Sequence, residues 1–143
     1  MKIKNGEIEE FATFLLSFKL KGTENRMRNR LVRKLQDHLK LVQQEHTDLL
    51  NEFCKKDGDG NFRTVERNGK KYYDIDDVST FQSEYEKLMS EEFIISNDEA
   101  NEPMFSAVTN FVLNCDKEFS GKEALIFERY CEILEEVNET TIL

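Results

Sequence analysis

Residues 24–56, ENRMRNRLVRKLQDHLKLVQQEHTDLLNEFCKK, read as one helix of about 33 residues, which at ~1.5 Å per residue is ~50 Å long. Val32, Leu35, Leu39, Val42, His46, Leu49 and Phe53 recur at steps of three and four and so share a seam. Leu31, Leu41 and Leu50 broaden that seam beyond a coiled-coil stripe, which favours packing inside one molecule over a dimerisation rod. The expectation is a scaffold helix in a monomer or weak homo-oligomer. At its front, Arg26, Arg30 and Arg33 lie at i, i+4 and i+7, with Arg28 and Lys34 beside them. The strip is a candidate surface for acidic groups, set against a plain solvated face interrupted by Asp37. His38 and His46 are too far apart on the helix to converge on a metal.

Upstream, Lys2-Ile3-Lys4 is a short extended lead and Asn5 a helix cap, with Glu7, Glu9 and Glu10 favouring the positive end of the dipole. Ile8, Phe11, Ala12, Leu15 and Phe18 form one face of the first helix, and Phe14 and Leu16 widen it. Such a helix is buried against the long one or presents Phe14 and Leu16 to a partner. Gly22 suits a left-handed C-terminal cap and Thr23 the cap of the next helix.

Downstream, Asp57-Gly58-Asp59-Gly60-Asn61 is similar to a calcium loop, but its sixth position is Phe62 rather than Gly and its twelfth Asn68 rather than Glu. It reads as helix stop and turn. Asn68-Gly69 between β-prone residues predicts a type I′ hairpin over about 62–75. The register pairs Arg67 with Lys70, Glu66 with Lys71, Val65 with Tyr72, Thr64 with Tyr73, Arg63 with Asp74 and Phe62 with Ile75. A lone hairpin is marginal in water and needs helices or a third strand, for which Phe93-Ile94-Ile95 is the candidate. Asp76 or Asp77 caps a helix bearing Val78, Phe81, Tyr85, Leu88 and Met89. Residues 96–102 are polar and acidic, the expected flexible link, and Pro103 fits the first turn of a helix over 104–115. Ser120 and Glu123 form the pattern of a capping box ahead of Ile126, Tyr130, Ile133, Leu134 and Val137. On the outer side, Glu128, Glu132, Glu135 and Glu139 make an acidic line that either binds a basic partner or keeps the surface wet.

The fold class expected is mainly α with a small β-hairpin, a long central helix packed by shorter ones. One domain is expected over residues 1–143: a helical hairpin in 1–60, the β-hairpin plus helix in 61–95, and an acidic helical part in 96–143. Mean hydropathy is low at −0.64, yet eleven Phe and four Tyr supply the buried area that disordered chains lack. The net charge of −9 is uneven: ten basic against seven acidic residues in 1–50, ten against twenty-two in 51–143. An acidic chain gains nothing from phosphate attraction, so no direct nucleic-acid binding is expected. Cys54, Cys115 and Cys131 form no metal-binding spacing, and read as reduced thiols of a cytoplasmic protein. No stretch reaches the ~20 apolar residues of a membrane span. Neither a phosphate loop, a nucleophile motif nor a cofactor fingerprint is present, so no enzyme activity and no cofactor are expected. Asp74, Asp76 and Asp77 read as helix caps rather than as a carboxylate site.

The stretch MKIKNGEIEEFATFLLSFKLKG from Met1, then RMRNRLVRKLQDHL, then the KKDGDGN turn with its hairpin, resembles a family of small proteins of unknown function. That family is encoded by tailed phages of Gram-positive bacteria and their prophages. The resemblance is most specific in the first sixty residues; from Ser96 onward it rests on acidic, amphipathic character alone. It carries no functional residues. It implies phage origin and action inside the bacterial host cell or in virion assembly. The expected function is non-enzymatic: binding a host or phage protein, either to inhibit a host defence complex such as a CRISPR effector through an acidic surface, or to assist tail and virion assembly.

Overall fold

The computed structural model describes residues 1–137. In chain order its elements are β1 (Lys2–Lys4), a 3-10 turn (Asn5–Glu7), α1 (Ile8–Leu16), α2 (Gly22–Phe53), β2 (Thr64–Arg67) and β3 (Lys70–Tyr73). They continue with α3 (Val78–Ser90), β4 (Glu92–Ile94), α4 (Glu102–Leu113) and α5 (Gly121–Glu135). The fold is α+β, with a long helix packed by shorter ones. The chain divides into two compact units: Met1–Leu39 together with the chain from Glu92 onward, and Lys40–Glu91. Helix α2 therefore contributes its first half to one unit and its second half to the other.

In the first unit, Met27, Leu31, Val32 and Leu35 of α2 join Ile8, Phe11, Ala12 and Leu15 of α1 in a single core. Met104, Phe105, Val108 and Val112 of α4, with Tyr130, Ile133 and Leu134 of α5, complete it. The stripes expected on α1, α2 and α5 are thus the buried ones, and the helix expected after Pro103 forms as Glu102–Leu113. Leu16 and Leu41 depart from expectation: at 49% and 53% exposed, neither widens a buried face.

Strand β1 pairs antiparallel with β4, setting Lys2 opposite Ile94, Ile3 opposite Phe93 and Lys4 opposite Glu92. Phe93-Ile94-Ile95 is consequently not the third strand of the hairpin. The period of two explains the choice, because Ile3 and Ile95 are buried and Phe93 half-buried on one face while Lys2 and Ile94 face outward. Asn5 is not a helix cap either. It is buried, and its Oδ1 lies 2.9 Å from Nε2 of His38, whose ring stacks on Phe93 at 3.9 Å. Residues 96–102 form a hydrogen-bonded turn, in which Oδ1 of Asp98 accepts from the Asn101 N–H at 2.8 Å. The Ser120 side chain makes no capping bond, and Gly121 enters α5 with φ of +58°. Gly22 has the expected positive φ, but as the first residue of α2.

Arg28 departs furthest from the solvated strip in which the sequence places it, being only 7% exposed. Its Nη1 donates to the carbonyls of Leu15 at 3.0 Å and Phe18 at 2.8 Å, where α1 ends with carbonyls unmatched inside the helix. Nη2 donates to Oδ1 of Asn25 at 2.7 Å and Nε to Oδ1 of Asn29 at 2.8 Å. A cation at the negative end of the α1 dipole, with four of its five N–H donors used, is held without a carboxylate.

In the second unit, His46 packs against Tyr85 and Phe53 against Phe81, joining the second half of α2 to α3. The hairpin has the expected register from Thr64 opposite Tyr73 to Arg67 opposite Lys70, with positive φ at Asn68 and Gly69 as a type I′ turn requires. Below Arg63 and Asp74 the expected pairing ends: Phe62 bridges Lys56, and Ile75 bridges Cys54. The hairpin leans on the residues just after α2, with Lys55 N–H donating to the Asp74 carbonyl at 3.0 Å and Arg63 N–H to the Lys55 carbonyl at 2.8 Å. Oδ1 of Asp57 accepts the N–H groups of Asp59 and Asn61, so that loop is an Asx-type turn. Asp77 caps α3 by accepting from the Thr80 N–H at 3.1 Å, Asp74 pairs with Arg63 and Asp76 with Lys55. All three acids are thereby engaged.

Arg28→Ala takes the guanidinium from the end of α1 and is expected to lower stability by about 2–3 kcal/mol, as for charge-assisted bonds lost in a core. Arg30→Ala, on the exposed face, is expected to stay within about 0.5 kcal/mol. Urea unfolding of both variants makes the comparison.

Candidate functional site

Phe14 of α1, half-buried against the edge of the core, is the hub of an aromatic cluster. Its ring centroid lies 5.1 Å from Phe18, 4.8 Å from Tyr130, 5.9 Å from Phe127 and 6.3 Å from Phe119. Phe119 and Phe127 stack at 4.3 Å and 15°. Phe127 and Tyr130 are one helical step apart on α5, and Phe119 precedes that helix, so the cluster spans three segments of the first unit. Aromatic pairs at such distances add about 0.5–1.5 kcal/mol each beyond the area they bury. Phe14, Phe119, Phe127 and Tyr130 also line a groove of about 340 Å³.

The groove has a polar rim. Glu10 and Thr13 border it from α1 and Glu123 from α5. Neither Glu10 nor Glu123 has an ion-pair partner among the described residues. Lys117 stands at one end, donating to Oγ of Ser17 at 2.6 Å with its Nζ 4.2 Å from the Phe18 ring centroid and 5.7 Å from that of Phe14. An ammonium group of the chain itself thus already sits on this π-surface, the geometry of a cation–π contact. Burial pushes the Tyr130 hydroxyl above its ordinary value, with the Glu10 and Glu7 carboxylates adding to the effect, so the phenol stays neutral.

An ion pair ties α5 to the 3-10 turn that leads into α1. Arg129 of α5 donates Nε to Oε2 of Glu7 at 2.8 Å and Nη2 to Oε1 at 3.1 Å, a bidentate fork. The hydrogen bond from Arg129 holds the Glu7 carboxyl below its ordinary 4.5, against a smaller opposing effect of burial.

The surfaces proposed from sequence fall in separate places. Phe14 is in the groove; Leu16 is exposed and does not line it. Arg26, Arg30 and Arg33 are exposed on α2, and none forms an ion pair among the described residues. Glu128, Glu132 and Glu135 are exposed on α5, Glu132 lying 3.5 Å from Nη1 of Arg129, while Glu139 lies outside the described residues. The carboxylates that border the aromatic groove are Glu10 and Glu123, read earlier as helix-start residues. The spacing of Phe127 and Tyr130 at i and i+3 was the available signal, but Phe119 and Phe14 come from distant segments that only folding brings near.

A family model described as "Protein of unknown function (DUF1617)" matches residues 1–141. The chain belongs to this family. Comparison with curated proteins and with solved structures found no match. Membership of the DUF1617 family thus assigns no activity, and the groove must be judged on its own chemistry. No group of three or more His, Cys, Asp or Glu among the described residues is arranged to hold a metal ion, and no described helix is long and apolar enough to cross a membrane.

Because the folded-state Glu7 value is depressed, its contribution to stability is present above the ordinary 4.5 and is lost as pH falls through the lower folded value. The stability difference between wild type and Glu7→Gln is therefore expected to be largest near pH 7 and to shrink as pH drops below about 4, measured by urea unfolding across pH.

Proposed function

We infer that the protein is a non-enzymatic interaction protein of phage origin, which inhibits a host defence complex by occupying a basic surface of one of its proteins. The observation that carries this reading is the aromatic groove bordered by Glu10 and Glu123, two carboxylates without an ion-pair partner among the described residues. Aromatic faces and free carboxylates together suit a lysine or arginine side chain: the rings take its apolar stem and the acids its charge. Surfaces that bind nucleic acid are rich in such side chains. The chain's net charge of −9 would steer it toward them and speed encounter.

The assembly reading relied on the apolar helix as a docking face. Phe11, Ala12 and Leu15 of α1 are buried in the core, which leaves Phe14 as its contribution to the groove. The inhibitor reading is therefore preferred.

Expression of the full chain in a host with nuclease-based defence is expected to restore phage plating, and Glu10→Gln with Glu123→Gln to abolish the effect. Binding to the isolated defence complex is expected to weaken about tenfold or more in that variant and as salt rises from low to ~0.5 M. Plating unchanged by the protein, or association only with virion components, would replace this reading with the assembly one.

A further inference from the structure

The second unit carries a different surface, independent of the aromatic groove. One face of the hairpin, bearing Val65 and Tyr72 as a cross-strand pair with Arg67 toward the tip, borders α3 across a groove of about 360 Å³. Ile75 and Phe81, both half-buried, also line it. Large apolar groups stay open to solvent around it: Tyr72 is 50% exposed, Val78 59% and Tyr85 37%. Within one short unit that is a concentration of uncovered apolar surface of the kind that marks interaction sites.

The strand edge beside the groove is also open. No third strand pairs with β2 or β3 among the described residues. The Asp74 N–H donates to the Arg63 carbonyl at 2.9 Å, which sets the alternation of the antiparallel ladder. Lys71 and Tyr73 are then the residues of β3 whose main-chain groups point outward, and the Tyr73 carbonyl already accepts from the Ile75 N–H at 3.1 Å. The N–H and C=O of Lys71 and the N–H of Tyr73 are left to receive an added strand.

Charge selects the occupant. Arg63 is paired with Asp74, whereas Arg67, Lys70 and Lys71 have no ion-pair partner among the described residues. Yet residues 40–91 hold eight basic and twelve acidic side chains, so the unit as a whole repels a polyanion. A short acidic segment along β3 meets Arg67, Lys70 and Lys71 against the one carboxylate of the strand pair near the tip, Glu66. We propose that the β3 edge and the hairpin–α3 groove bind an extended acidic segment of a partner protein, which adds as a strand along Lys71 and Tyr73 and seats one aromatic side chain against Tyr72 and Tyr85. Main-chain bonds supply affinity, while the groove and the three cations supply selectivity.

The test uses the full chain and a short fluorescein-labelled peptide of Glu and Asp with a central Phe. Controls are the same peptide with Ser for Phe, and an oligothymidylate of equal charge. Fluorescence anisotropy is expected to show peptide binding that weakens about tenfold or more with Ser for Phe, or in a Lys70→Glu, Lys71→Glu variant. Amide shifts on titration are expected to centre on Lys71 and Tyr73, and Glu10→Gln with Glu123→Gln to leave binding unchanged. Both lysines are exposed, and circular dichroism is the check that the variant folds. The proposal is overturned by absence of peptide binding, by oligothymidylate binding as tightly through the same amides, or by self-association of the chain through this edge.

Discussion

A 32-residue helix must be covered along its whole length, and no other described element approaches that length. The stripe on α2 is therefore buried in two instalments. Residues 27–35 enter a core built by α1, α4 and α5, where Leu31 and Leu35 are fully buried. Beyond Leu39 the cover is lighter, and His46 and Phe53 are only half-buried against the rings of α3. Isolated helices owe most of their stability in proteins to packing of one face. The hairpin and α3 are correspondingly tied to α2 and to the residues that follow it, and nearly all of the fully buried side chains belong to the first unit.

What the sequence disclosed follows the range of the interactions involved. The long helix, the Asn68-Gly69 turn and the four-pair register are products of local rules, and each was legible. The pairing of β1 with β4 was not, because it joins residues some ninety positions apart through three-residue strands that leave almost no periodic trace. Arg28 was misread for a different reason: its charge outweighed its position. It sits four residues before Val32 and seven before Leu35, squarely on the core stripe, and a cation there signals a buried acceptor. Asn5 and Ser120 show the complementary error, since cap-type residues spent their side chains elsewhere or made no cap at all. The groove was half legible: Phe14 was marked, but its companions arrive from α5 and the segment before it.

Electrostatics reverses a simple expectation. A basic front on α2 and an acidic line on α5 invite the thought that the two neutralise each other. Instead the pair that closes the first unit joins an acid at the start of α1 to an arginine on α5. The exposed arginines of α2 and most exposed glutamates of α5 remain in water, where a pair would have gained little. The charges that matter most for the fold are the few that are partly desolvated, Arg28 and the Glu7–Arg129 fork.

The same partition bears on contacts between copies of the chain. Free carboxylates beside aromatic rings and free lysines at a hairpin tip are complementary, and a contact between different patches on successive copies does not close on itself. Two features oppose it. Lys117 already covers part of the Phe14 and Phe18 π-surface from within, so an incoming lysine must compete with a tethered one. The net charge of −9 adds a repulsion between whole molecules that a single pair of surface contacts, worth about 1 kcal/mol or less, does not overcome. A strongly basic partner surface meets no such repulsion, and its many cations outnumber the one that Lys117 supplies. On the proposed reading, the same acidity that opposes contact between copies would favour a basic partner surface at the groove.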